Sequence, residues 1–170
     1  MLNETVFRAP WGWTLKLVTG LVVLILLGIP AFSLLLQPAP EPSLLWYLSM
    51  IALPLSILLI SSLFTIRHYR LSAGKLYVRR LLWDTAIDLK TLRKVEVDPE
   101  AMSRSIRTFG NGGFFSFSGA YRSKKLGPYR ALATDPARAV VLYMDKRTIV
   151  VTPEDPQRFA GRLESALSPL

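Results

Sequence analysis

The sequence predicts a helical membrane hairpin joined to a seven-stranded, all-β or α+β domain closed by one C-terminal α-helix. Three observations predict it: two long uncharged apolar runs near the start, a change to short β-prone runs from Arg67 onward, and a helix-start signal at Thr152. Charge is divided along the chain in the same way as hydrophobicity. Of 21 basic and 12 acidic side chains in 170 residues, only Arg8, Lys16, Glu4 and Glu41 precede residue 67, so the whole net charge of +9 belongs to residues 67–170. A simple soluble globule does not divide like this, and a chain without cysteine has no disulfide framework.

Leu17–Leu36 and Leu44–Ile66 are runs of twenty and twenty-three residues without a charge. As helices they reach roughly 30 and 35 Å, enough to cross a hydrocarbon core of about 30 Å. Pro30, Pro54, Gly20 and Gly28 are tolerated in such helices because neighbouring helices satisfy freed backbone groups. Gln37–Ser43, with three prolines in seven residues, predicts a tight turn between the runs. The first run is longer than the apolar core of a signal peptide, and no small-x-small cleavage site follows it. Arg8 and Lys16 precede the first run, and Arg67, Arg70, Lys75, Arg79 and Arg80 follow the second, with no basic residue in the turn. By the positive-inside rule both termini are expected in the cytoplasm, as in a multi-pass protein of the cell inner (plasma) membrane. Trp11, Trp13, Trp46 and Tyr47 near the run ends suit the interface. The expected division is an anchor at 1–66 and a cytoplasmic domain at 67–170.

In the second part the residues predict strands at 67–72, 75–82, 85–88, 92–97, 128–134, 138–144 and 147–152, separated by turn chemistry such as Ser72-Ala73-Gly74 and Asp145-Lys146. Thr152-Pro153-Glu154-Asp155 predicts a helix start with Thr152 as N-cap, and Phe159, Leu163 and Leu167 then form one apolar stripe. Seven strands and one amphipathic helix is the order of the pleckstrin homology (PH) fold. Residues 67–167 also resemble the bacterial PH-like domains that follow one or two membrane spans. The likeness is carried by Tyr69-Arg70-Leu71 leading into Gly74-Lys75-Leu76, by Phe109-Gly110-Asn111-Gly112-Gly113-Phe114-Phe115 with Gly119, and by Val140–Thr152 running into Pro153-Glu154-Asp155-Pro156 and Phe159. The resemblance implies a PH-like β-sandwich or barrel and membrane association, and it brings no catalytic residues with it.

The inventory for catalysis is thin, so no catalytic, metal or cofactor residue is expected. With one histidine, His68, and no cysteine, Cys/His zinc sites and a cysteine nucleophile are excluded, and no G-x-S-x-G is present. A P-loop ending at Gly74-Lys75 would need glycine where Tyr69 stands, and a dinucleotide fingerprint at Gly110 would need glycine where Phe115 stands. Asp84, Asp88, Glu96, Asp98 and Glu100 read as solvated strand faces and turns.

Asp98–Leu126 is too long for a plain connector. It gathers Arg104, Arg107, Arg122, Lys124 and Lys125 with Phe109, Phe114, Phe115, Phe117 and Tyr121 around four glycines. One reading is a binding loop whose cations meet anionic lipid headgroups or an acidic partner while aromatics enter an interface. The other folds Phe114, Phe115 and Phe117 back onto the core. The candidate partner- or lipid-binding residues are Arg104, Arg107, Phe114, Phe115, Phe117, Arg122, Lys124 and Lys125. Nucleic acid is not an expected partner, because a domain at the inner leaflet already faces a dense array of phosphates and positive-inside bias explains much of its charge. The sequence therefore predicts a membrane-anchored, non-catalytic binding and assembly module with a protein partner or self-association. The alternative is a regulatory subunit of a transport or signalling complex in which the hairpin is the working part.

Overall fold

The computed structural model describes residues 4–36 and 43–167, the last two without their side chains. The predicted turn therefore lies, except for Ser43, outside the described residues. Helix α1 is Trp13–Leu35. The second long helix runs Leu44–Ser62 and changes pitch within itself: α2 (Leu44–Tyr47) and α3 (Leu53–Ser62) are α-helical, and Leu48–Ala52 between them is a π-turn. Pro54 gives the reason. Its ring crowds the carbonyl four residues back, and the wider turn, in which the Leu53 N–H donates to the Leu48 carbonyl, relieves that crowding. Both helices are long and apolar enough to cross a membrane, and their side chains face outward, with only 6% of each apolar window buried.

The first helix is displaced toward the N-terminus relative to its uncharged run, and the second starts with its run but stops short of its end. α1 begins four residues before Leu17, and its first turns belong to the domain: Leu15 is fully buried and Thr19 nearly so. The second helix ends at Ser62, three tight bonds turn the chain at Leu63–Thr65, and Ile66 enters the domain core instead of continuing the span.

Among the described residues, ten strands form two sheets. The smaller has the order β1-β2-β3-β4, from Thr5–Arg8, His68–Ser72, Lys75–Arg79 and Asp84–Asp88. The larger has the order β5-β9-β10-β8-β7-β6, from Leu92–Val97, Val140–Met144, Thr148–Val151, Gly127–Ala133, Phe117–Ser123 and Ile106–Gly112. All neighbours are antiparallel except β10 and β8. Helix α4 (Pro156–Leu167) closes the sandwich, with Phe159 and Leu163 fully buried beside Phe7 and Tyr69. Each of these two side chains contributes about 1.5–3 kcal/mol by leaving water.

The expected seven strands are all present with ends that move by one to three residues, apart from the unchanged Leu92–Val97, and three more join them. Thr5–Arg8, assigned to the anchor by its position in the chain, pairs in full register with β2. β6 and β7 occupy the segment expected to be a long loop. Neither carries a period-2 apolar pattern, because β6 is an exposed edge and β7 alternates with glycine and serine. β3 stops at Arg79 because the Arg80 N–H donates to the Trp83 carbonyl (2.9 Å), which folds Leu81-Leu82 into a turn.

The helix start also moves. Asp155 caps α4, its carboxylate accepting from the Arg158 N–H (3.0 Å), and Pro156 is the first helical residue. Thr152 instead sits buried at the seam of the two sheets. Its Oγ1 accepts from the Thr134 and Asp135 N–H groups, its own N–H donates to the Tyr69 hydroxyl, and that hydroxyl donates to the Leu132 carbonyl. Burial pushes the Tyr69 phenol up to about 12.

Two apolar clusters result. One fills the space between the sheets and α4. The other lies on the outer face of the larger sheet, where Tyr121, Tyr129, Ala131, Val141 and Val150 pack with Ala101 and with Leu15 of α1. The base of the first long helix is thus an ordinary part of the domain core.

Candidate functional site

The β6–β7 hairpin holds most of the predicted site residues. Its strands approach more closely than side chains allow: Gly110 faces Gly119 in register, and a Cβ on either would lie 2.1–2.3 Å from a carbonyl oxygen of the other strand. Both glycines have positive φ, 101° and 146°. This explains the glycine-rich motif as a backbone requirement of the crossing.

The hairpin tip is fastened to α1. The Thr19 hydroxyl donates to the Gly113 carbonyl (3.2 Å) and accepts from the Phe115 N–H (3.1 Å). Phe115 meets Trp11 edge to face at 5.9 Å and Phe114 at 4.8 Å, while Phe117 is buried in the outer cluster. Asn111 closes the turn by accepting from the Phe114 N–H (3.0 Å) and donating to the Phe114 carbonyl. Gly12, before α1, touches the domain so closely that a Cβ there would meet Asp135 at 2.5 Å, and its N–H donates to the Thr134 carbonyl (3.1 Å). Of the predicted aromatics, Phe114 and Phe115 are therefore partly buried turn residues and Phe117 is core.

The open end of the hairpin differs. Ile106 pairs with Arg122 there, six residue steps, or about 20 Å, from the Gly112–Phe117 pair at the tip. Arg104, Arg122, Lys124 and Lys125 line a groove of about 870 Å³ together with Ile106 and Glu100. Lys125 is held by Asp98 (2.5 Å), and that hydrogen bond raises its pKa. Arg104, Arg122 and Lys124 have no ion-pair partner among the described residues. Ile106 (72% exposed) and Phe109 (80%) stand out from the β6 edge. Exposed side chains of this size on an unpaired edge strand are uncommon without a partner.

Arg107 lies between the two ends, its guanidinium donating to the Gly110 carbonyl (3.1 Å). It shares a second hollow, of about 640 Å³, with Arg80 and Arg130. Arg80 and Arg130 escape a reading by sequence clusters, since they come from the end of β3 and from β8. A composition scan finds Phe109 but not that it, rather than Phe114 or Phe117, is the exposed aromatic. His68, at the start of β2, has its pKa lowered by burial and then by Arg79. Among the described residues no group of three or more His, Cys, Asp or Glu is arranged to hold a metal ion.

A family model described as a bacterial PH domain matches residues 67–167, from the start of β2 through α4 and more than half of the chain. No curated protein and no solved structure matches the chain.

Proposed function

The chain belongs to the bacterial PH domain family, and from that premise we propose that it is a membrane-anchored, non-catalytic assembly module of the inner membrane, with both termini in the cytoplasm. α1 and the second helix form the anchor, and the PH-like sandwich sits against the inner leaflet. A protein partner of acidic character is bound at the open end of the β6–β7 hairpin by Arg104, Arg122 and Lys124, with Ile106 and Phe109 as apolar anchors.

The observation that carries this reading is the rigid attachment of the domain to its helices. β1 is zipped to β2, the Ala9 N–H donates to the Arg67 carbonyl (3.1 Å), and Thr19 holds the hairpin tip. With the tip fixed at Thr19, the Ile106–Arg122 end of the hairpin lies about 20 Å along the strands from it. The attraction of anionic lipids fades over a Debye length of about 8–10 Å. Cations at the end of the hairpin away from the tip gain less from the leaflet than cations at the tip would, and a protein surface is the better match. The exposed apolar side chains beside them supply the contacts that anchor protein interfaces.

The test is a photo-crosslinking residue at Ile106 in the full-length protein, in native membranes, with adducts identified by mass spectrometry. A specific protein adduct that disappears when Arg104, Arg122 and Lys124 are replaced by Gln is the expected result. Adducts with lipid alone, or a pattern unchanged by the three substitutions, would overturn the reading.

A further inference from the structure

The second hollow has a composition that demands an anion. Arg80 is 5% exposed, yet no carboxylate among the described residues reaches it: its guanidinium donates to the Phe64 carbonyl (2.9 Å), lies 3.5 Å from the Ser118 hydroxyl, and rests between the Phe64 and Trp83 rings at 5.7 and 5.9 Å. Arg130 is close enough to repel it, and burial together with that repulsion lowers the Arg80 pKa. Arg107, on the edge strand β6 with its guanidinium at the Gly110 carbonyl, also lines the hollow. Three arginines thus line one hollow whose walls, among the described residues, include no acidic residue. A buried cation without a counter-ion is costly, and the repulsion from Arg130 adds to that cost, although Arg107 and Arg130 are themselves exposed.

The position of the hollow is equally informative. Ser61 and Phe64, from the last turn of the second long helix and the residues after it, form one side, and β6, β7 and β8 form the other. Beside it, the turn closed by Arg80 and Trp83 presents Leu81 and Leu82 at 41% and 67% exposure, and Trp83 stacks edge to face on Phe64 at 5.3 Å. Exposed leucines and an amphipathic tryptophan at the end of a membrane-length helix suit the headgroup level.

We infer that this hollow binds a phosphate group through Arg80, Arg107 and Arg130, and that the bound anion fastens the end of the second helix to the larger sheet. The guanidinium fork matches phosphate oxygens bidentately, and Ser118 adds a hydroxyl. The phosphate comes from an anionic lipid headgroup or from a soluble phosphate compound. Only the lipid source rests on the membrane reading above.

The experiment is thermal unfolding of the full-length protein in neutral detergent, titrated separately with dioctanoyl-phosphatidylglycerol, dioctanoyl-phosphatidylcholine and inorganic phosphate. The phosphatidylglycerol arm is expected to raise the unfolding midpoint saturably and the phosphatidylcholine arm to leave it unchanged. The Arg107→Gln/Arg130→Gln variant should bind about tenfold more weakly or worse, since two charge-assisted contacts are lost. Without ligand it loses the exposed Arg107–Gly110 hydrogen bond and a charge repelling Arg80, so its midpoint should stay close to that of wild type; a marked fall would mean that these arginines are structural. Lys75→Gln/Lys90→Gln removes the same charge elsewhere and should behave as wild type. A matching response to inorganic phosphate, lost in the same variant, supports the site with a soluble source. The inference is overturned if neither anion gives a saturable shift, if phosphatidylcholine acts equally, or if Arg107→Gln/Arg130→Gln responds as wild type. The adduct at Ile106 is read independently, so the two proposals fail separately.

Discussion

At the tip of the β6–β7 hairpin, Gly113 and Phe115 give their backbone groups to Thr19 and the aromatic rings pack on Trp11 and the outer cluster; at the open end, Arg104, Arg122 and Lys124 face a groove with no ionic partner among the described residues. Both ends mix cations or aromatics with glycine and serine, so composition does not separate them. What separates them is whether each polar group already has an internal partner. At the tip the backbone hydrogen bonds close within the chain, and the segment is structural. At the open end the charges remain available, and the segment can recognise something else.

The strongest way to break this contrast is to break the hairpin that contains both ends. Gly110→Ala puts a Cβ 2.3 Å from the Ser118 carbonyl at a φ of 101°, which the β7 backbone cannot yield to. Strain and overpacking together should cost about 2–4 kcal/mol. Thermal unfolding of the full-length protein in detergent reads this directly, and the groove and the Thr19 contacts should be lost together.

A smaller effect, with its own pH signature, belongs to the seam between the sheets. Tyr69→Phe removes the donor to the Leu132 carbonyl and leaves the buried Thr152 N–H without its acceptor, a loss of about 1–3 kcal/mol. Below pH 10 the phenol is protonated in both the folded and unfolded chain. Between pH 10 and 12 the unfolded chain loses the proton first, because the folded pKa is raised to about 12, so stability falls as pH rises. The loss approaches about 3 kcal/mol at the top of that window. Unfolding followed against pH should show this decline in wild type and a shallower one in the Phe variant, where Tyr121, also raised to about 12, and Tyr129 and Tyr143, raised as well, supply what is left.

Thr19→Val tests the tip alone. It keeps the shape and removes one donated and one accepted hydrogen bond, so the expected destabilisation is about 1–2 kcal/mol. Amide exchange should quicken at 113–117 and stay unchanged at 122–127. Equal quickening at both ends would mean that the hairpin responds as one unit and that the contrast does not hold.

Much of the architecture is readable from local chemistry, and the unreadable part has a common cause. The PH-like order is visible because β2, β3 and β5 alternate, β8–β10 are apolar runs between turns, and Phe159 and Leu163 form a stripe. β6 is invisible because an edge strand with almost every side chain exposed has no apolar period, and β1 because four residues form a strand only through β2, more than sixty residues away. Thr152 has every local mark of an N-cap, but Tyr69 and Thr134 offer its groups tertiary partners that outweigh the local preference. The site is legible to the same degree. Arg104, Arg122 and Lys124 stand out as a basic segment in the sequence and line one groove in the fold. Arg80 and Arg130, fifty residues apart, meet only through the packing of the two sheets.

The smallest effect on stability should come from the variant with the largest effect on binding. Arg104, Arg122 and Lys124 are exposed, make no ion pair among the described residues, and lie clear of both apolar clusters. Replacing all three by Gln should change the unfolding free energy by less than about 0.5 kcal/mol, as surface substitutions away from special features do. Clustered like charges repel, so any shift should be toward greater stability, and it should shrink as salt is raised. Unfolding at low and at high ionic strength measures both signs. A marked loss of stability would mean that these cations already have an internal role, as the tip aromatics do, and the open end would then be a second structural end. Stability retained while the Ile106 adduct is lost would separate folding from recognition within one hairpin.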